Sequence, residues 1–200
     1  MARTLFLLAL WAGAVFAYEG LPGLSAPLTV VLDTEQPLPA QTMAAMRHEM
    51  DRLVGGSRVR IEWKMRGDVK TGESHSDLVL VKFHGDCRME SGPVLFDERG
   101  PMAFTYSSDG DILPFSEVSC ERVRGAARSA MTAGDAMRGD LLMGRALARV
   151  VAHEMYHMVS RDEKHSAQGV LRKGLSGAQL IAEQFRFTEE DLRRLDSKAR

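Results

Sequence analysis

Five consecutive residues, His153-Glu154-Met155-Tyr156-His157, combine side chains that bind a metal ion with one that can move protons. Two histidines four positions apart project from the same face of a helix, so both imidazoles can reach a single ion. Glu154 then lies where it can act on a water bound to that ion. Such a run is expected only about 0.01 times by chance in a chain of this composition. The alternative is a pair of ordinary histidines on a helix face.

A catalytic zinc site needs a third protein ligand and one open position for water. Asp162, Glu163 and His165 follow His157 closely, and Glu183 lies 26 residues beyond it. Three imidazoles leave the ion fully positive toward the water, whereas a glutamate ligand would lower that charge. We therefore expect His165 to be the third ligand, with Glu163 and then Glu183 as the alternatives.

The motif lies within a predicted helix. Four apolar residues recur at steps of four between Met143 and Met155, and Asp140 is a suitable N-cap for a helix that runs to about Val159. A second amphipathic helix is predicted between Met43 and Leu53. Two terminal helical segments are predicted to follow Ser176 and Thr188, and the stretch 122–139 is predicted to be a connection or a loose helix.

Short apolar or alternating runs separated by turn residues predict strands at 28–32, 59–63, 78–81, 102–106 and 112–120. The 78–81 run is apolar throughout, which is typical of a central strand. This order predicts an α/β (α+β) fold in which a twisted mixed sheet packs on the helix that carries the motif. The C-terminal part is predicted to be helical. With 200 residues, one domain covering 18–200 is expected.

The first 17 residues resemble an export signal. Arg3 gives a positive start, Leu5 to Ala17 are apolar or small, and Val15-Phe16-Ala17 is a suitable cleavage site. The apolar run is shorter than the roughly 20 residues needed to span a bilayer. We expect a secreted or periplasmic protein that is cleaved near Ala17 and has no stable membrane anchor.

The two cysteines, Cys87 and Cys120, are then expected to form a disulfide bond, since an exported protein meets an oxidising compartment. A thiolate metal site is the weaker alternative, because neither cysteine has a partner at the short spacing of such sites.

The segment HEMYHMVSRDEKHS resembles the zincin metalloproteases, and more closely their metzincin branch, whose motif is HExxHxxGxxH. In this sequence Ser160 occupies the place of the glycine, Glu163 that of the third histidine, and His165 follows two residues later. His165-Ser166 and Gly169-Val170-Leu171 resemble the stretch before the Met-turn, with Leu171 near the place of the methionine. The resemblance implies a metzincin-like catalytic domain in which an edge strand, here 102–106, lines the cleft and pairs with an extended peptide.

The resemblance implies a zinc metalloendopeptidase that cleaves peptide or protein substrates. Zn²⁺ would be held by His153, His157 and His165, and Glu154 would be the general base for the zinc-bound water. A noncatalytic secreted zinc-binding domain of the same fold and a zinc-dependent amidase are the alternatives. With 26 basic and 27 acidic residues, the chain lacks the positive field that nucleic-acid binding requires. The sequence does not indicate an oligomeric state.

Overall fold

The computed structural model describes residues 27–90 and 100–198. The predicted export signal and most of the loop before Pro101 lie outside these ranges, so the signal stays a prediction. Within the described ranges, no helix is both long and apolar enough to cross a membrane.

Strands and helices follow the predicted order. The strands of the described ranges are β1 (Leu28–Thr34), β2 (Ile61–Met65), β3 (Leu78–His84), β4 (Ala103–Ser108) and β5 (Asp111–Ser119). The helices are α1 (Ala40–Val54), α2 (Cys120–Ser129), α3 (Gly139–Ser160), α4 (Gly177–Ile181) and α5 (Glu189–Lys198), with 3-10 turns at Arg66–Asp68 and Ala133–Arg138.

The strands form one mixed sheet in the order β2-β1-β3-β5-β4. Neighbouring strands are parallel except for β4, which runs antiparallel to β5 along one edge. The prediction of a mixed sheet with β3 at its centre is confirmed. The β4–β5 register shifts between Thr105 and Ser107. Irregularities of this kind re-aim side chains, and this one adjoins the candidate site described below.

Alternate residues of the strands pack with α1 and α3 in a single hydrophobic core. Val79, Val81 and Phe83 of β3 are all buried, as period-two alternation predicts. The two helices cross closely at Gly144, where an added Cβ would lie 2.3 Å from the carbonyl oxygen of Thr42. A side chain at this position would therefore force α1 away from α3.

Arg149 joins α3 to α1 through a buried ion pair and to the C-terminal part through hydrogen bonds. Arg149 is fully buried, and its Nε donates to Glu49 Oε1 of α1 at 2.9 Å. Its two terminal nitrogens donate to the carbonyl oxygens of Gln179 and Ala182 at the end of α4. The last carbonyls of a helix have no hydrogen-bond donor within the helix. Arg149 supplies these donors at the end of the short α4.

Both predicted terminal helices are present. Ser176 accepts from the backbone N–H of Gln179 at the start of α4, and Thr188 does the same for Asp191 at the start of α5. In each case the side chain three residues on accepts from the backbone N–H of the capping residue. This reciprocal arrangement is the capping box.

The structure decides one open prediction and corrects two others. The stretch 122–139, predicted to be a connection or a loose helix, is helical over its first part, where α2 runs to Ser129, and a 3-10 turn follows. The second strand begins at Ile61 rather than at residue 59. Asp140 is not the N-cap of α3, because Arg138 precedes the helix and makes no side-chain capping bond. The carboxylate of Asp140 instead accepts from the backbone N–H of Met89 at 3.4 Å.

The predicted disulfide bond is confirmed. Cys87 lies just beyond β3 and Cys120 begins α2, with their Cα atoms 4.8 Å apart. Both residues are buried in the core. The bond therefore joins the end of the central strand to the helix that follows β5.

Candidate metal centre

Helix α3 presents two imidazoles one turn apart, each held by a backbone carbonyl. His153 Nδ1 lies 2.9 Å from the carbonyl oxygen of Val170, and His157 Nδ1 lies 2.6 Å from that of Asp162. A carbonyl oxygen can only accept, so both Nδ1 atoms carry the proton. The Nε2 atom of each ring is then a free lone-pair donor.

The two Nε2 atoms face each other at 3.2 Å. Burial lowers the pKa of His153 and of His157, which disfavours an extra proton between the rings. Two lone pairs at this distance repel each other unless a cation lies close to both. Zn–N bonds of about 2.0 to 2.1 Å at the tetrahedral angle place two ligand nitrogens about 3.3 Å apart. The spacing therefore fits a tetrahedral metal ion.

The chain reverses sharply after α3 to reach these rings. Arg161, the residue after the helix, has φ 51° and ψ 40°, a left-handed conformation that is common at helix ends. This reversal brings the carbonyl of Asp162 back to His157. A glycine is the usual residue in that conformation, and here an arginine adopts it.

His165 completes the group. Its ligand atom and those of His153 and His157 lie within 4.8 Å of one another, and no other such group of three potential ligands is found in the described ranges. Glu163 borders the same cavity without joining the group. Glu183 is exposed, and its carboxylate lies 3.8 Å from Arg138. The geometry favours the predicted triad over both alternatives.

A closed loop supports His165. The backbone N–H of Ser166 donates to the carbonyl oxygen of Leu171 at 2.9 Å, and the Ser166 hydroxyl donates to Asp191 at 2.5 Å. Gly169 within this loop has φ 71°, and a Cβ there would lie 2.5 Å from the carbonyl oxygen of Arg186. Val170, whose carbonyl holds His153, belongs to the same loop. One short segment therefore positions two of the three imidazoles.

Glu154 lies beside the triad with only 7% of its surface exposed. Burial raises the pKa of its carboxyl group, although a hydrogen bond from Thr105 partly opposes the shift. The Thr105 hydroxyl donates to Glu154 Oε2 at 2.7 Å. A carboxyl group with a raised pKa, fixed by a hydrogen bond, is suited to accept and return a proton.

A cavity of about 530 Å³ opens in front of the triad. Its lining includes Ala103, Phe104 and Thr105 of edge strand β4 and also residues 172–175. Desolvation is the largest cause that lowers the pKa of His165, and the nearby positive charge of Lys173 lowers it further. The loop after the triad therefore carries positive charge close to the imidazoles.

The other histidines lie outside this group. His84 lies 2.7 Å from a carboxylate oxygen of Glu35 and 2.9 Å from one of Glu117. His75 contacts the hydroxyl of Thr29 at 3.3 Å. These contacts are consistent with ordinary structural roles.

Sequence reasoning missed three contributors to the site: Thr105, the carbonyl of Val170 and the carbonyl of Asp162. A single threonine in a strand forms no motif, and every residue has a backbone carbonyl. Residue types alone therefore could not identify these three contributors. Neither known protein-family models nor curated proteins provide a match for this chain.

Proposed function

We propose that this chain is a zinc-dependent endopeptidase of metzincin-like fold. One observation carries the proposal: His153 and His157 point unprotonated nitrogens at each other across 3.2 Å, beside His165 and the buried carboxyl group of Glu154. A purely structural metal site has no use for a proton-transfer group at that position. This favours catalysis over a noncatalytic zinc-binding domain.

The ligand chemistry favours zinc among the available metals. Three neutral imidazoles are a common protein shell for catalytic zinc, whereas magnesium and calcium prefer oxygen ligands. The N–H of each α3 imidazole is bound to a carbonyl, which is the usual way in which proteins orient metal-binding histidines.

A bound zinc ion would supply a Lewis acid and would lower the pKa of a coordinated water to about 7. Glu154 takes the proton from the attacking water as its oxygen bonds to the scissile carbonyl carbon. The same carboxyl group then gives that proton to the amide nitrogen as the C–N bond breaks. Thr105 holds Oε2 of Glu154 throughout and leaves Oε1 for the water.

An extended peptide is the substrate that best suits this cleft. In the described ranges β4 pairs with β5 on one side only, so its other side can hydrogen-bond a further strand. That strand would run past Thr105 and the triad. A small-molecule amide would leave these backbone groups unused, which supports an endopeptidase over an amidase.

The test combines metal analysis with hydrolysis. Protein purified without added metal should contain about one zinc per chain and should cleave members of a broad peptide library. Glu154→Gln should retain zinc while losing about 10²- to 10⁴-fold in hydrolysis, because the ligands survive and the base does not. The matched control, Glu183→Gln, lies outside the cavity and should leave both properties unchanged. Zinc-free protein, or a fully active Glu154→Gln variant, would refute the proposal.

Export is part of the same proposal. The buried disulfide is consistent with folding in an oxidising compartment. Protein recovered from the secreted or periplasmic fraction should begin at Tyr18, and N-terminal sequencing reads this directly. A mature protein that retained residues 1–17 would contradict the predicted cleavage.

A further inference from the structure

Two cationic side chains border the cavity in front of the triad. Arg172 and Lys173 both line it, and both are exposed. Within the described ranges, neither side chain forms an ion pair or hydrogen bond with another residue. They are therefore free to bind an anionic group that enters the cleft.

The two carboxylates of the cavity do not neutralise its positive charge once a metal ion is bound. Glu154 and Glu163 are the acidic residues among its lining residues. Glu154 is engaged by Thr105 and, under the proposed function, faces the attacking water. Once a divalent cation binds the three imidazoles, positive charge exceeds negative charge in the cleft. Clefts lined by one sign of charge concentrate ligands of the opposite sign.

The position of the two cations follows from the loop that precedes them. The carbonyl of Val170 accepts from His153. Arg172 follows two residues later, and its backbone N–H donates to the carbonyl oxygen of Gly169. Lys173 lies near His165. The loop therefore places both cations in the lining of the cavity that the triad and β4 also line. A substrate paired with β4 would enter the same cavity as the two cations.

We propose that Arg172 and Lys173 bind a substrate carboxylate next to the scissile bond, so that the enzyme selects acidic peptides. The proposal rests on the proposed function. The guanidinium group can bind a carboxylate through two parallel hydrogen bonds, and the ammonium group adds a compact charge. The carboxylate can belong to an aspartate or glutamate side chain or, if the enzyme also removes C-terminal residues, to the C-terminus of a short substrate.

Binding and cleavage are measured on four matched fluorescent peptides. Two carry either Glu or Gln adjacent to the scissile bond and have amidated C-termini. The other two lack an acidic side chain and have a single residue after the scissile bond. The C-terminus of that residue is a free carboxylate in one peptide and an amide in the other. Zinc-loaded Glu154→Gln protein reports binding by fluorescence anisotropy without turnover, and the wild-type protein reports kcat/KM.

We expect the peptide with a carboxylate to bind and react about 10- to 100-fold better than its neutral partner, as two charge-assisted hydrogen bonds would allow. A preference within the Glu/Gln pair identifies a side-chain carboxylate, and a preference within the other pair identifies the C-terminus. The combined change of Arg172→Gln and Lys173→Gln should abolish either preference while zinc content stays the same. Arg47→Gln, which removes a charge outside the cavity, should preserve the preference.

Two results would overturn the inference while leaving the proposed function intact. One is hydrolysis of the neutral and acidic peptides at equal rates. The other is an acidic preference that survives the double change at Arg172 and Lys173. If the proposed function itself fails, none of the peptides is cleaved, yet the anisotropy measurement still shows whether the two cations bind a carboxylate.

Discussion

The hydroxyl of Thr105 and the carboxylate of Glu154 are 2.7 Å apart, and this hydrogen bond joins edge strand β4 to helix α3. The strand that would hold the peptide therefore also fixes the group that would move the proton. A displacement of β4 would alter substrate position and base orientation together. Thr105 is in this sense a positioning residue, since it acts through Glu154.

Replacing Thr105 with valine should preserve shape and remove the hydrogen bond. A bond to a charged group contributes about 1.5 to 3 kcal/mol, so kcat should fall roughly 10- to 100-fold with KM little changed. Thr105→Ser retains the hydroxyl and should recover most of the rate. Steady-state kinetics on both variants, with zinc content measured in parallel, tests the role. Equal losses in the two variants would indicate a packing effect instead.

The third ligand can be identified by alanine substitutions that are each titrated with a competing chelator. His165→Ala should weaken zinc binding by orders of magnitude, because it removes one of three imidazoles. Glu163→Ala and Glu183→Ala should change zinc affinity much less. A large loss confined to Glu163→Ala would mean that the metal draws that carboxylate inward and that His165 is not the ligand.

The hydrogen bond from Ser166 to Asp191 should affect metal binding from a distance. Asp191 is 1% exposed and lies in the first turn of α5, so it anchors the His165 loop to the C-terminal helix. Ser166→Ala should lower zinc affinity roughly tenfold, near the low end of the effects reported for groups that orient ligands. Ser197→Ala, at the far end of α5, is the control. Unchanged affinity in Ser166→Ala would show that the loop needs no such anchor.

The buried Glu49 should make stability depend on pH. Although burial alone would raise its pKa, hydrogen bonds from Arg52 and the charge of Arg149 outweigh it and hold the pKa below the ordinary value of 4.5. A lowered folded-state pKa means that its stabilising effect is complete above about pH 4.5 and is lost as pH falls through the folded-state pKa. The stability of the wild-type protein should therefore decline on acidification below that value.

Glu49→Gln should lower the free energy of unfolding by about 3 to 5 kcal/mol at neutral pH, because Arg149 is left buried without its anion. The difference from wild type should shrink on acidification. Urea unfolding at a series of pH values measures both effects. Glu62→Gln removes an exposed carboxylate 3.8 Å from Lys64 and should cost less than about 1 kcal/mol at any pH. A pH-independent difference at Glu49 would contradict the assignment.

Much of the site could be predicted from the sequence because it depends on spacing within one helix. His153, Glu154 and His157 are fixed relative to one another once α3 forms, and His165 lies within reach after a short turn. The contribution of Thr105 could not be predicted, because it depends on the register of β4 against β5 and on how the sheet meets α3. Such long-range relationships arise from packing and leave no local pattern.

The same distinction explains what was open or wrong in the predicted fold. The sequence of α2 is typical of either a connection or a loose helix, because its buried face consists mainly of small and polar residues, among them Arg124, Gly125 and Ala127. The helix forms because it packs against α3 and α4, which local propensity does not reveal. Asp140 is a good N-cap by type, but tertiary contacts direct its carboxylate to Met89 instead.

The Cys87–Cys120 bond closes a covalent ring. The 33-residue separation between the two cysteines contains both β4 and β5. A protease that cut one peptide bond within this ring would open it without releasing a fragment. The nicked protein would be heavier by one water molecule and would migrate as one species until it was reduced. Self-cleavage next to β4 would leave the edge strand attached to the protein through only one of its two chain connections.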